Sequence, residues 1–360
     1  MMEDANKIPL IHVKGSHLQI GHQIGEAFRQ NISASIDNAR ILIDKAYDQL
    51  QLNWEGAVIQ SRKYIPFVEE HYPQYVDEMQ GIAQGANVEY DDICVVNAME
   101  AVTSDALHLT KCTSMAVNQQ CTRDGSVLVS HNEDWTPEDE HFVYLVHANP
   151  DNEPSFLAMS YGGLLPNVGF NSFGIAQCCD SVYPDDSRIG IPRIVYSRAV
   201  LAAKSPADAI RSILVPQRAA GYNHLIVHDS GEMYNVETSA RQFALIYGEE
   251  GCLVHTNFYL DAEMKRVEDE PEELISARVR YHRAWRLLHA SHQHSVESLQ
   301  EIQRDHVNYP DSICNHGIDK NVLNSEKTIM AMVIDLSNRR MHAAWGSPCK
   351  GTYHTYQLDG

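Results

Sequence analysis

The stretch that decides the fold is Cys112-Thr113-Ser114-Met115-Ala116-Val117, followed after Arg123-Asp124-Gly125-Ser126 by Val127-Leu128-Val129-Ser130-His131-Asn132-Glu133-Asp134-Trp135. Two apolar runs flank an Asp-Gly pair, the signal of a tight hairpin, so the start of the first strand is predicted to lie beside the end of the second. A thiol and a carboxylate then meet, with the sulfur of Cys112 expected to be exposed and ionisable beside Asp134. That arrangement suits a nucleophilic cysteine better than a core cysteine.

Toward the amino end, residues 21–50 carry Ile24, Phe28, Ile32, Ile36, Ile41, Ile43 and Tyr47 at broadly helical spacing. Residues 64–85 do the same with Val68, Tyr72, Tyr75, Met79 and Ile82. Gly81 and Gly85 mark close packing or a helix end. Toward the carboxyl end, short alternating runs at 142–147, 156–161, 167–180, 225–228, 232–237 and 253–255 are separated by turn residues, as antiparallel sheets require. Helices return at 192–203, at 206–215 behind the cap Ser205 and Pro206, and at 271–291 and 296–306; runs at 328–336 and 341–345 read as a closing hairpin. The expected architecture is α+β, two antiparallel sheets flanked by helices in one structural domain.

Composition narrows the function. The 360 residues are 44% hydrophobic and 21% charged, with a formal net charge of -20. Such acidity argues against nucleic acid or an anionic membrane as partner and favours a small-molecule substrate. The amino end has acidic residues where a secretory signal would be basic, and no run approaches membrane-spanning length, so a soluble, cytoplasmic protein is expected. Eight cysteines (94, 112, 121, 178, 179, 252, 314 and 349) form no dense framework, and free thiols are expected. With no Cys-x-x-Cys, no metal site is expected, and His289, His292 and His294 read as a solvated helix terminus.

Taken singly, Cys112 would be a buried inert thiol, Asp134 a strand-end cap and Asn257 a turn asparagine. Together with other blocks they carry a resemblance. Tyr75-Val76-Asp77-Glu78-Met79-Gln80-Gly81-Ile82-Ala83-Gln84-Gly85-Ala86, Val96-Asn97, Cys112-Thr113, Asn132-Glu133-Asp134-Trp135, Val168 to Ala176, Val254-His255-Thr256-Asn257 and Asn308-Tyr309-Pro310 with Ser312-Ile313-Cys314 stand in one order. In that order they resemble the acyl-coenzyme A:6-aminopenicillanic acid acyltransferase family, a branch of the N-terminal nucleophile hydrolases.

The resemblance implies an αββα sandwich made as a precursor and cut between Lys111 and Cys112. Residues 1–111 would be a helical prosegment that remains associated, and 112–360 the catalytic chain. It implies Cys112 as nucleophile, Asp134 holding the freed α-amine that acts as base, and Asn257 donating to the oxyanion. The substrate would be an N-acyl amide or amine, with no metal or redox cofactor. An acyl-coenzyme A donor rests on the likeness alone, since no Gly-rich phosphate cradle is present. His131, Trp135 and Tyr161 are candidates for the substrate pocket, or plain core residues.

Two departures stand out. Lys111 replaces the glycine usual before the nucleophile, and Asn324-Ser325-Glu326 occupies the stretch where the penicillin-processing enzyme has Ser-Arg. Two rival readings remain: an uncut hydrolase with Cys112 activated by His131 or His255, and an unprocessed, non-catalytic binding relative.

Overall fold

The computed structural model describes residues 6–103, 111–269, 274–317 and 325–359; Asn324 and the start of the helix expected from Pro271 lie outside the described residues. Its strands, in chain order, are β1 (Leu10–Gly15), β2 (Thr113–Val117), β3 (Leu128–Trp135), β4 (Val143–Pro150), β5 (Phe156–Tyr161), β6 (Val168–Asn171) and β7 (Ile175–Asp180). They continue with β8 (Tyr222–His228), β9 (Met233–Thr238), β10 (Phe243–Tyr247), β11 (Cys252–His255), β12 (Lys327–Asp335), β13 (Arg340–Trp345) and β14 (Tyr353–Gln357). The larger sheet has the order β1-β4-β5-β6-β7-β8-β9-β10 and the smaller β11-β2-β3-β12-β13-β14.

Period-two alternation sets the layers. In β4, Val143 and Leu145 face the smaller sheet while Tyr144, Val146 and Ala148 face helices; in β2, Ala116 faces inward and Met115 and Val117 outward. The amino-terminal helices α1 (His17–Ala27), α2 (Arg29–Lys45), α3 (Tyr47–Leu50), α4 (Trp54–Ser61), α5 (Ile65–His71), α6 (Pro73–Ala86), α7 (Tyr90–Asn97) and α8 (Met99–Val102) lie on the larger-sheet side, where α9 (Arg193–Val200) joins them; α10 (Pro206–Ile213) packs on β8. α11 (Ile275–Leu288) and α12 (Val296–Gln303) cover the smaller sheet. The result is the four-layer αββα arrangement. No helix among the described residues is long and apolar enough to cross a membrane.

Several expectations are revised. The amino-terminal segment is not purely helical: β1 forms the edge of the larger sheet and pairs with β4 in parallel, so that sheet is not wholly antiparallel. The run 21–50 breaks at Phe28, and Pro73, which cannot donate a helical hydrogen bond, starts α6. Val117 pairs with Leu128, so the β2–β3 connection spans 118–127, and the Asp-Gly turn, with Asp124 Oδ1 accepting from Ser126 N at 3.1 Å, sits inside that longer loop. The run 167–180 divides into β6 and β7 at Gly174, whose φ is +74°. β10 and β14 escaped the sequence reading.

Gly81 and Gly85 do mark close packing. A Cβ on Gly81 would stand 2.2 Å from Leu18 O, and one on Gly21 would stand 2.0 Å from Glu78 O, so α1 and α6 touch backbone to backbone. Beside this crossing, His17 Nδ1 lies 2.7 Å from Glu78 Oε2, and Arg198 Nη2 lies 3.0 Å from the same oxygen.

Candidate active site

Cys112 stands one residue before β2. The register pairs Thr113 with Asn132 and Ser114 with His131, which sets Cys112 against Glu133. Alternation then sends Cys112, Ser114, His131 and Glu133 between the sheets, and Asn132 and Asp134 to the helix-covered face. The contacts agree. Cys112 Sγ faces Glu133 Oε2 at 3.8 Å, and that oxygen is 2.8 Å from His131 Nε2. His131 Nδ1 meets Ser114 Oγ at 3.0 Å, and the hydroxyl donates to Asp180 Oδ1 at 2.8 Å. His255 continues the chain, 3.6 Å from Asp180 Oδ2 and 2.8 Å from Glu237 Oε1.

The carboxylate at the sulfur is therefore Glu133, and the sulfur is buried, only 2% of Cys112 being exposed, contrary to the expectation of an exposed thiol beside Asp134. Burial first, then the negative charges of Glu133, Asp180 and Asp134, push its pKa well above the ordinary thiol value, while the backbone N–H of Asp134 opposes them. Burial and these charges favour the neutral thiol over the thiolate.

Asp134 faces the other side of its strand. Thr328 Oγ1 donates to its Oδ1 at 2.6 Å, and Oδ2, also buried, has no hydrogen-bond partner among the described residues. Burial raises its pKa to about 7 against the opposing charge of Arg280 and the Thr328 hydrogen bond.

Arg280 joins the predicted residues. Its Nη1 donates to Cys112 O at 2.7 Å and Thr113 Oγ1 at 2.9 Å, and its Nη2 to Asn257 Oδ1 at 2.9 Å. Asn257 Nδ2 donates one hydrogen to Ser181 O at 3.0 Å, which leaves its second available. Sequence reasoning missed Arg280, although a signal existed: on α11 the buried stripe is Ala277, Arg280, Ala284 and Leu288, an arginine where an apolar residue is expected.

The two departures meet in space. Lys111 Nζ lies 3.4 Å from Glu326 Oε2 and 3.4 Å from Asp311 Oδ1. Glu326 is fully buried, and burial raises its pKa to about 8 despite Lys111.

A cavity of about 580 Å³ is lined by Leu42, Lys45, Met99, Trp135, Tyr161 and Ser325 among others, and neither Cys112 nor Glu133 forms part of its wall. Tyr161 forms the link, its hydroxyl donating to Glu133 Oε1 at 3.5 Å, and its ring lies 5.8 Å from that of Trp135. Trp135 and Tyr161 thus line a pocket, whereas His131 does not; its two nitrogens are taken up by Ser114 and Glu133. Cys112, His131 and Glu133 bring one ligand-type atom each within 4.8 Å of one another, spacing that permits a metal but is also that of a hydrogen-bonded chain.

The structure has two sheets between helix layers, with Cys112 at the head of a central strand and Arg280 joining its carbonyl to Asn257. The family model described as "Acyl-coenzyme A:6-aminopenicillanic acid acyl-transferase" matches residues 121–350, and the chain belongs to that family. It is 26% identical over 344 residues to the acyl-coenzyme A:6-aminopenicillanic-acid-acyltransferase 40 kDa form of Emericella nidulans, covering 94% of this chain and 93% of that one. It is 27% identical over 258 residues to the β-alanyl-dopamine/carcinine hydrolase of Drosophila melanogaster, covering 64% of each. Among solved structures it is similar to penicillin V acylase from Agrobacterium tumefaciens, with a TM-score of 0.46 and 15% identity over 65% of this chain and 83% of that one.

Proposed function

We propose that this protein is a self-processing enzyme that hydrolyses or transfers N-acyl groups through a thioester on Cys112. The observation that carries the reading is Arg280, which ties the Cys112 carbonyl, the Thr113 hydroxyl and the Asn257 amide into one unit, so that nucleophile and oxyanion donor hold a fixed relation. In maturation, Cys112 Sγ attacks the carbonyl carbon of Lys111, the peptide C–N bond breaks, and the departing amine takes the thiol proton. Water then cleaves the thioester, leaving a carboxylate on Lys111 and a free α-amine on Cys112.

That amine has an unperturbed pKa of about 7.7–8.0. It supplies the base that the buried thiol lacks, and the unpartnered Asp134 Oδ2 supports the role of Asp134 in holding it. In turnover the amine takes the thiol proton, sulfur attacks the substrate carbonyl, and the free hydrogen of Asn257 Nδ2 meets the oxyanion. The ammonium then protonates the leaving amine. Water accepting the acyl group gives hydrolysis; a second amine gives transfer.

The names of the Emericella and Drosophila relatives favour small N-acyl amides as substrates, and an acyl-coenzyme A donor rests on the first name alone. The pocket walled by Trp135 and Tyr161 would take the substrate. Association of the cut prosegment is supported by the β1–β4 ladder, and a reducing, cytoplasmic setting by eight free cysteines.

Intact-mass analysis tests the reading. Two pieces meeting at 111/112, a single chain for Cys112→Ala, and hydrolysis of N-acyl amides only by the cut form are expected; an uncut, inactive wild-type chain overturns it. One observation favours a second reading, an uncut hydrolase using His131 through Glu133, because both stand at the sulfur. Activity in an uncut chain that survives blocking of α-amines would select it.

A further inference from the structure

Away from the pocket, a second group of reactive side chains converges. His306 and the loop residues Cys314 and His316 follow α12, and Cys349 lies in the turn after β13; one ligand atom from each lies within 4.8 Å of all the others. His316 Nε2 is 3.0 Å from His306 Nε2, 3.4 Å from Cys314 Sγ and 3.5 Å from Cys349 Sγ. We propose that these four side chains form a structural binding site for Zn²⁺.

The three spacings that meet at His316 Nε2 match edges of a zinc tetrahedron. Zn–N bonds near 2.0–2.1 Å and Zn–S bonds near 2.3 Å place two nitrogens about 3.3 Å apart and a nitrogen and a sulfur about 3.6 Å apart. The three measured edges are each within a few tenths of an ångström of those values. Two sulfurs and two imidazoles, with no carboxylate among them, are a donor set for zinc rather than for magnesium or calcium. Binding converts both thiols to thiolates and releases two protons, so the bound ion and its ligands are neutral overall. Four protein ligands leave no open position, hence a structural ion and not a catalytic one.

The frame is already built. Cys314 N donates to Asp305 O at 3.1 Å and His316 N to Pro310 O at 3.1 Å, which fixes the loop, while Cys314 is buried at the base and His306 is exposed at the entrance. Asn315, between two of the ligands, accepts from Thr328 N at its carbonyl and donates its N–H to the Thr328 hydroxyl, both at 3.0 Å. Thr328 in turn holds Asp134. An ion here would pin the loop against the β13–β14 turn and steady the support of Asp134.

Metal analysis of the full chain, purified under reducing conditions without chelator, tests this. One zinc per chain is expected, and Co²⁺ loading of the stripped protein should give thiolate charge-transfer and tetrahedral d–d absorption. The paired substitution Cys314→Ser/Cys349→Ser should abolish both signals. His306→Ala, at an exposed position that leaves the buried frame intact, should weaken Zn²⁺ binding by about tenfold or more. Cys121→Ser/Cys252→Ser, at another thiol pair, should change neither. Zinc below one-tenth equivalent with no cobalt spectrum, or full binding by the Cys314→Ser/Cys349→Ser chain, overturns the proposal, as does a Cys314–Cys349 disulfide that persists under those conditions.

Discussion

Lys111 and Glu326 face each other with Nζ 3.4 Å from Oε2, joining the residue before Cys112 to a position 215 residues later in the sequence. The contact turns two departures into one feature, a buried acid answered by a lysine where the family usually has glycine. It also fixes the acyl group on which maturation would act.

Loss of that anchor should slow cutting at 111/112. Displacing a reacting carbonyl by about 1 Å can cost on the order of 10²-fold, so Lys111→Ala is expected to process about 10–100-fold more slowly than wild type. Lys111→Arg, which retains the charge, should process faster than Lys111→Ala. Time-resolved intact mass of freshly made chain gives the rates; equal rates for all three would remove the anchoring role.

Arg280 yields a second prediction. Arg280→Met keeps much of the side-chain volume but releases Asn257 and the Cys112 carbonyl, so kcat on an N-acyl amide should fall by about 10²–10³, as for the loss of an oxyanion donor. Because three acceptors lose their partner, the chain should also unfold at a lower temperature. The comparison belongs between cut preparations, with KM measured beside kcat.

Stability should fall from pH 6.5 to pH 9. For His17, burial disfavours the charged form, but Glu153 and Glu78 outweigh it and raise the pKa from 6.5 to about 9; for His255, Asp180 and Glu237 do the same against burial, also to about 9. Each histidine holds its proton in the folded state and loses it in the unfolded one across this window, so its stabilisation is complete below pH 6.5 and gone above pH 9. Glu326, raised to about 8 by burial, acts in the same direction because ionisation at that site opposes folding. Thermal unfolding of the uncut Cys112→Ala chain at several pH values measures this, and Glu326→Gln should flatten the part of the slope below pH 8.

The α1–α6 crossing makes the fourth prediction. Gly81→Ala places a methyl 2.2 Å from Leu18 O, so the helices must separate, and a loss of about 1–3 kcal/mol is expected in denaturant titration. Gly125→Ala is a useful contrast, since a Cβ there meets nothing within 4 Å and only the φ of +76° opposes it.

What the sequence made legible was local or serial. Short alternating runs between turn residues announced strands, and Ser205 capping Asp208 N at 3.2 Å is the helix start its residue type announced. The order of motifs singled out Cys112, Asp134 and Asn257. What stayed hidden depended on register and long-range closure. Proximity of strand ends alone does not set the register, and only the pairing of Val117 with Leu128 shows that Glu133 rather than Asp134 stands at the sulfur. The parallel pairing of β1 joins residues 135 apart, such as Leu10 and Leu145, with no local signature. The grouping of His306, Cys314 and His316, from the loop after α12, with Cys349, from the turn after β13, likewise has no signature in sequence spacing.

The β1–β4 ladder changes what unfolding means once residues 111 and 112 are parted. An uncut chain melts as one molecule, and its midpoint is indifferent to dilution. A cut molecule holds its edge strand and glycine-packed helices only by non-covalent contact, so melting becomes a dissociation whose midpoint drops as the protein is diluted. Scission would give the fold a molecularity it did not have when it was made.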